Sequence, residues 1–228
     1  MRSNNPGNLE GVKEKCVFHG MAHFNVEYNY VVDFSHDILF GVWKKVGHLI
    51  IRRFVSYKMN DDRSGYRDDD KPMTLQSFND ALKIFKFQYS GRPWPIKEDM
   101  FEKGFQFNMT DNLCLILACP MILGCRVPGS DPYYKLLVDI VVFVNLCLAD
   151  SFNENMLELL DDTAAEINKK TMELFIHDFN LSFKFHILTH YSTVVRQSGP
   201  ISKLSTIRLE GNSPLYPVNS SLFHCTFL

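Results

Sequence analysis

Between Asp111 and Gln197 the chain carries one apolar, helix-patterned segment after another, and this run constrains the fold more than any other feature. Thr110 is placed to cap the first segment, which ends around Gly124 with a distortion expected at Pro120. Asp131-Pro132 starts the second, because proline is tolerated in a first helical turn, where its missing N–H has no partner to lose. Asn153 or Asn155 caps the third, which continues through LELLDDTAAEINKKTMELFIHDF. A fourth helical piece, SFKFHILTHYSTVVRQ, stops before Gly199-Pro200. The middle of the chain is therefore expected to be helical, with strand-like material towards its ends.

Upstream the hydrophobic period changes. Val17 to Val32 is rich in aromatic and β-branched residues, which favours extended structure ending near Asp33. Ile38, Leu39, Val42, Trp43, Val46, Leu49, Ile50 and Phe54 then follow the spacing of an amphipathic helix, with Lys44, Lys45, Arg52 and Arg53 on the other face. Ser35 or Asp33 serves as its cap. Asn60 to Pro72 is a charged loop without the ligand spacing of a calcium site. Thr74 to Lys86 reads as a short helix burying Leu75, Phe78, Leu82 and Phe85, and FQYSGRPWPIKED after it reads as a loop.

A formal charge of −2 gives no basic excess, so contact with nucleic acid would need a local Lys/Arg patch. The six cysteines form no CxxC pair and several lie in apolar runs, which points to reduced thiols and an intracellular setting, nuclear or cytoplasmic. The N-terminus has no apolar signal core, so secretion is not expected. The most apolar stretch, LCLILACPMILGC, is too short to span a bilayer and contains a proline, so no membrane partner is expected.

No Gly-rich phosphate loop and no GxSxG elbow occurs. His186 and His190 stand four apart on a helical pattern, a spacing that suits a metal, but the Glu of HExxH is missing. A structural role is the better reading of that pair; a metal-dependent enzyme built on it ranks last. In YVVDFSHDILFGV, Asp33 precedes His36 by three residues. That arrangement is either a capped helix start or a corner of a metal-dependent site.

Two longer blocks bear on this choice. GVKEKCVFHGMAHFNVEYNYVVDFSHDILFGV, Gly11 to Val42, resembles a block of the CACTA, Mirage and Chapaev (CMC) superfamily of DDE transposases, with its VDxMHDIxEGV core. Val32, Asp33, His36, Asp37, Ile38, Gly41 and Val42 occupy the matching places. KFHILTHYSTVVRQSGPISKLSTIRLEGN is similar to the family's KHHFLxHYPxxIRxxGPLxxLWxMRFEAKH, with Lys184, His186, His190, Tyr191, Arg196, Gly199, Pro200, Arg208 and Glu210 in order.

The resemblance implies an α+β fold, predominantly α-helical: a partial ribonuclease H-like core split by a large helical insertion. In these terms residues 1–10 are a disordered tail, 11–57 a core segment with the DxxH motif, 58–183 the insertion, 184–212 a C-terminal core segment with the RxE motif, and 213–228 an irregular tail. It also implies that Asp33 and Glu210 are the second and third carboxylates of a DDE triad, holding Mg²⁺ or Mn²⁺, which as hard cations take oxygen ligands. His36 would stand beside them in a catalytic role, and Lys184, Arg196 and Arg208 would contact DNA.

The departures are specific. Nothing in MRSNNPGNLEGVKEKCVFHG resembles the strand that bears the first Asp, Phe40 replaces an acid before Gly41-Val42, and Gly211-Asn212-Ser213 replaces the basic AKH. The expectation is a transposable-element-derived fragment, ancestrally a metal-dependent DNA strand-transfer enzyme and inactive alone. The alternative is a helical protein-interaction module taken over from such an element, with protein partners or self-association in place of DNA.

Overall fold

The structure is a computed structural model that describes residue 21 and residues 31–56, 73–87, 93–124, 126–178 and 182–204. The chain divides into two units, Met1–Val31 and Val32–Leu228. Of the first, only Met21 and Val31 are described, both exposed. The strand expected over residues 17–32 lies almost wholly outside the described residues.

The second unit opens with a π-helix, Ser35–Val42, that continues directly into α1, Trp43–Phe54. The apolar spacing of this segment predicts one α-helix, and its buried face agrees: Ile38, Leu39, Val42, Trp43, Val46, Ile50 and Phe54 are all buried. The difference lies in the first half, where the Trp43 N–H bonds to the carbonyl of Ile38, five residues back. Such wide turns are uncommon and concentrate at functional sites. A two-residue strand β1, Val55–Ser56, follows and pairs in parallel with β2, Met73–Thr74.

Helix α2, Leu75–Ile84, starts where Thr74 Oγ1 accepts from the Ser77 N–H; of its expected apolar stripe it buries Phe78 and Leu82, while Leu75 and Phe85 are half-buried. The loop beyond it is anchored by Asn79, whose amide both donates to the Ile96 carbonyl and accepts from the Ile96 N–H, at 2.9 and 2.8 Å. One side chain thereby supplies both bonds that a neighbouring strand would give.

After the short α3, Met100–Lys103, comes α4, Met109–Leu123. Its cap is Asn108 rather than Thr110: Asn108 has extended backbone and its Oδ1 accepts from the Asp111 N–H at 2.8 Å. Pro120 sits inside α4 near its end, and Tyr134 Oη donates to the Pro120 carbonyl. Helix α5, Pro132–Cys147, begins as its sequence predicts, with Asp131 accepting from the N–H groups of Tyr133 and Tyr134. Asn153, not Asn155, caps α6, Glu154–Phe175.

The core forms around α5, which packs against α1, α4 and α6. Leu136, Leu137, Ile140, Phe143, Val144 and Cys147 of α5 are buried, and each large aliphatic side chain there contributes roughly 1.5–3 kcal/mol of transfer free energy. Asp139 escapes this face and pairs with Lys170 of α6 at 2.5 Å. The expected fourth helical piece is two helices, α7, Phe183–Leu188, and α8, Tyr191–Ser198, broken at Thr189-His190. Gly199 ends α8 at φ 84°, a left-handed conformation that glycine adopts without strain. A final turn, α9, Ile201–Leu204, lies against α5's end through Ser202 Oγ, which donates to the Ala149 carbonyl.

The described protein is thus predominantly helical, as its sequence predicts. No helix among the described residues is long and apolar enough to cross a membrane.

Candidate functional site

Asp33 sits at the mouth of the π-helix. Its Oδ1 accepts from the Ser35 N–H at 3.1 Å and, more weakly, from the His36 N–H at 3.4 Å. Its Oδ2 lies 2.7 Å from His36 Nδ1. Of the two expected caps, Asp33 is therefore the one used, while Ser35 is buried with its Oγ unbonded among the described groups. His36 is about half exposed, and its ring leans on Phe40 at 5.8 Å. Locally the capped helix start is what the geometry shows, and the same acid also pairs with the surface imidazole of His36.

The residue that organises the site is Asp37. It is buried, 4% exposed, yet every described bond to it is matched. Oδ2 reaches back to the Asp33 N–H at 2.9 Å, closing a reciprocal cap in which the wide turn places the acid four residues on rather than three. Oδ1 accepts from Lys184 Nζ at 2.6 Å, a partner 147 residues away on α7. Tyr191 Oη, at the start of α8, donates to Oδ2 at the limit of bonding, 3.5 Å. Burial, together with Cys147, Asp37 and Asp33 nearby, pushes the Tyr191 phenol well above its ordinary pKa, so it remains a donor.

Close packing fixes the same junction. Gly41 lies under the stem of Lys184: a Cβ added there would stand 2.9 Å from the His36 carbonyl and 3.0 Å from Lys184 Cγ. Only glycine lets α7 approach the π-helix this closely. From the other side Asn168 of α6 donates to the Phe185 carbonyl at 3.1 Å, so α7 is tied to two elements.

The sequence-predicted residues divide accordingly. Asp33, His36 and Lys184 come together at one corner, with Lys184 spending its charge on Asp37. Arg196 lies on the exposed face of α8, bonded to Glu154 and 3.9 Å from Asp161, both on α6. Those acids raise its pKa further. Arg208 and Glu210 lie outside the described residues. His186 and His190 meet each other: their Nε2 atoms are 3.0 Å apart and their rings stand nearly perpendicular.

The fit of Mg²⁺ or Mn²⁺ follows from the Asp33 donor set. Both oxygens are already engaged, by two backbone N–H groups and an imidazole. Among the described residues no three His, Cys, Asp or Glu side chains stand together as a metal cradle. These residues do not by themselves fit a two-ion centre, which needs several free carboxylate oxygens.

Asp37 is the functional-site residue that motif reading passed over in favour of Asp33. By α-helical spacing it falls opposite the apolar stripe of Ile38, Val42 and Val46, so the sequence carries no sign of its burial. Once buried, the acid needs a partner, and the lysine of KFHILTHY supplies it. Comparison with protein-family models, curated proteins and solved structures gives no match for this chain.

Proposed function

We propose that this chain derives from a DDE transposase of the CMC superfamily and is now a DNA-binding remnant that does not cut DNA by itself. The observation that carries the proposal is the junction at Asp37. The two blocks that resemble the family, VDFSHDILFGV and KFHILTHY, are far apart in sequence, and their family-matching residues Asp37, Gly41, Lys184 and Tyr191 pack on one another. Chance matches to two separate motifs have no reason to share a contact surface.

In this reading the helices from α2 to α6 belong to the insertion of a ribonuclease H-like core, and Asp33 and Glu210 are its ancestral Mg²⁺ or Mn²⁺ ligands. The bonds that hold both Asp33 oxygens, backbone N–H groups on Oδ1 and the His36 imidazole on Oδ2, favour loss of catalysis over its retention. Remaining affinity for phosphate rests on Lys184, Arg196 and Arg208, weakened at the first two by their pairing with Asp37 and Glu154, a nuclear role consistent with a transposon origin. A second reading, a module that binds protein, is favoured by exposed apolar side chains: Ile84, Trp94 and Phe183 are 80%, 72% and 69% exposed.

Fluorescence anisotropy of a labelled duplex, read across salt between about 50 and 200 mM, separates the two. The first reading expects binding that weakens steeply with salt and no strand cleavage in Mn²⁺. Absence of DNA binding alongside a stable oligomer would favour the second. Cleavage that disappears in Asp33→Ala would contradict the loss of catalysis.

A further inference from the structure

We infer that His186 and His190 form a two-imidazole chelate for a tetragonal divalent transition metal, Cu²⁺ or Ni²⁺. The backbone carrying the pair is fixed. His186 lies in the last turn of α7 and His190 caps the start of α8, and the Thr189 and His190 N–H groups donate to the carbonyls of His186 and Ile187. Thr189 Oγ1 adds a bond to the His186 carbonyl at 2.8 Å. The Phe183 ring, 5.9 Å from that of His186, supports it on one side, and the His186 side chain is open to solvent.

Ligand type points to the metal, since imidazole nitrogens bind Ni²⁺ and Cu²⁺ more tightly than the earlier divalent ions, and the separation agrees. With metal–nitrogen bonds of about 2.0–2.1 Å, two ligand atoms 3.0 Å apart subtend roughly 95° at the ion. That is the angle between neighbouring ligands in a square-planar or octahedral shell, which Cu²⁺ and Ni²⁺ prefer. In the metal-free pair one Nε2–H donates to the other Nε2. Binding moves that proton to the Nδ1 of the same ring or to solvent, and small rotations about χ2 turn both lone pairs to one point. Among the described residues no third His, Cys, Asp or Glu stands with the pair, so the two imidazoles are the ligands this inference assigns. This site lies outside the carboxylate chemistry of the transposase reading and does not depend on it.

Calorimetric titration of the full chain with Ni²⁺, with His186→Gln, His190→Ala and the exposed His177→Ala as variants, tests the assignment. Loss of either pair member should weaken binding by roughly tenfold or more, while His177→Ala should bind as the parent does. Electron paramagnetic resonance of the unsubstituted chain with one equivalent of Cu²⁺ gives a readout that no folding defect can mimic. Superhyperfine coupling to two imidazole nitrogens is the expected spectrum. A parent chain that binds no Ni²⁺, variants that bind as the parent does, or Cu²⁺ coupled to fewer than two imidazoles would overturn it.

Discussion

Lys184 Nζ and Asp37 Oδ1 are 2.6 Å apart across 147 residues of chain, and this one ion pair joins the π-helix to α7. The two ends are unequal: the Asp37 side chain is 6% exposed and that of Lys184 is 40%. Desolvation therefore falls on the carboxylate, which recovers it through three donors, while the ammonium keeps part of its water. Truncating the acid strips the Asp33 N–H, the Lys184 ammonium and the Tyr191 hydroxyl of a partner at once. Asp37→Ala should cost about 3 kcal/mol in denaturant unfolding, and Lys184→Ala distinctly less.

Asp33 holds only the helix mouth. Its removal in Asp33→Ala should cost about 1 kcal/mol, the usual loss of a cap, and Asp33→Asn still less because the amide oxygen can accept the same N–H bonds. Equilibrium urea unfolding of the four variants ranks them. A loss at Asp33 equal to that at Asp37 would mean the mouth, not the junction, holds the two blocks.

Gly41→Ala tests the close approach. The added methyl meets the His36 carbonyl, which cannot swing aside, as well as the Lys184 stem. A destabilisation of about 1–3 kcal/mol is expected, seen as a lower thermal midpoint.

His48 sets an acid limit on stability. Burial lowers its pKa below the ordinary 6.5, opposed by a hydrogen bond from its ring to the Lys44 backbone and helped by the Arg52 charge, with Asp178 opposing. Below pH 6.5 the unfolded chain takes up a proton that the folded chain refuses, so stability is present above that value and declines as pH falls towards the folded pKa. Urea midpoints measured from neutral pH downward should fall, and His48→Gln should flatten the slope through this window.

The buried thiols should be inert. Burial pushes Cys114 up to about 12, with the Asp111 charge adding to it, and pushes Cys119 and Cys147 up as well. At pH near 8 each remains protonated, so mass mapping after brief alkylation of the native chain should find these three unmodified and find them labelled in denaturant.

Much of this fold is legible in the residues. Asp131-Pro132, Asn153 and Thr74 start helices where their side chains say, because a cap depends on the next three residues alone. Two features are not local. The π-turn at Ser35–Val42 leaves the apolar spacing unchanged, since the stripe Ile38, Val42, Trp43 and Val46 serves either winding. The break at Thr189-His190 carries neither glycine nor proline to mark it, and Phe185 before it and Tyr191 after it are both buried. At the candidate site, DxxH draws attention to Asp33 because its partner is three residues away. Asp37 becomes visible only once α7 is brought alongside.

Coupling between Asp37 and Lys184 is the most direct measure of whether the two transposase-like blocks form one unit. A double-mutant cycle with Asp37→Asn and Lys184→Met, read by urea unfolding, removes the charge pair while keeping both shapes. An interaction energy of about 1–2 kcal/mol is expected across the two blocks. Additive losses, within about 0.3 kcal/mol of zero coupling, would contradict it.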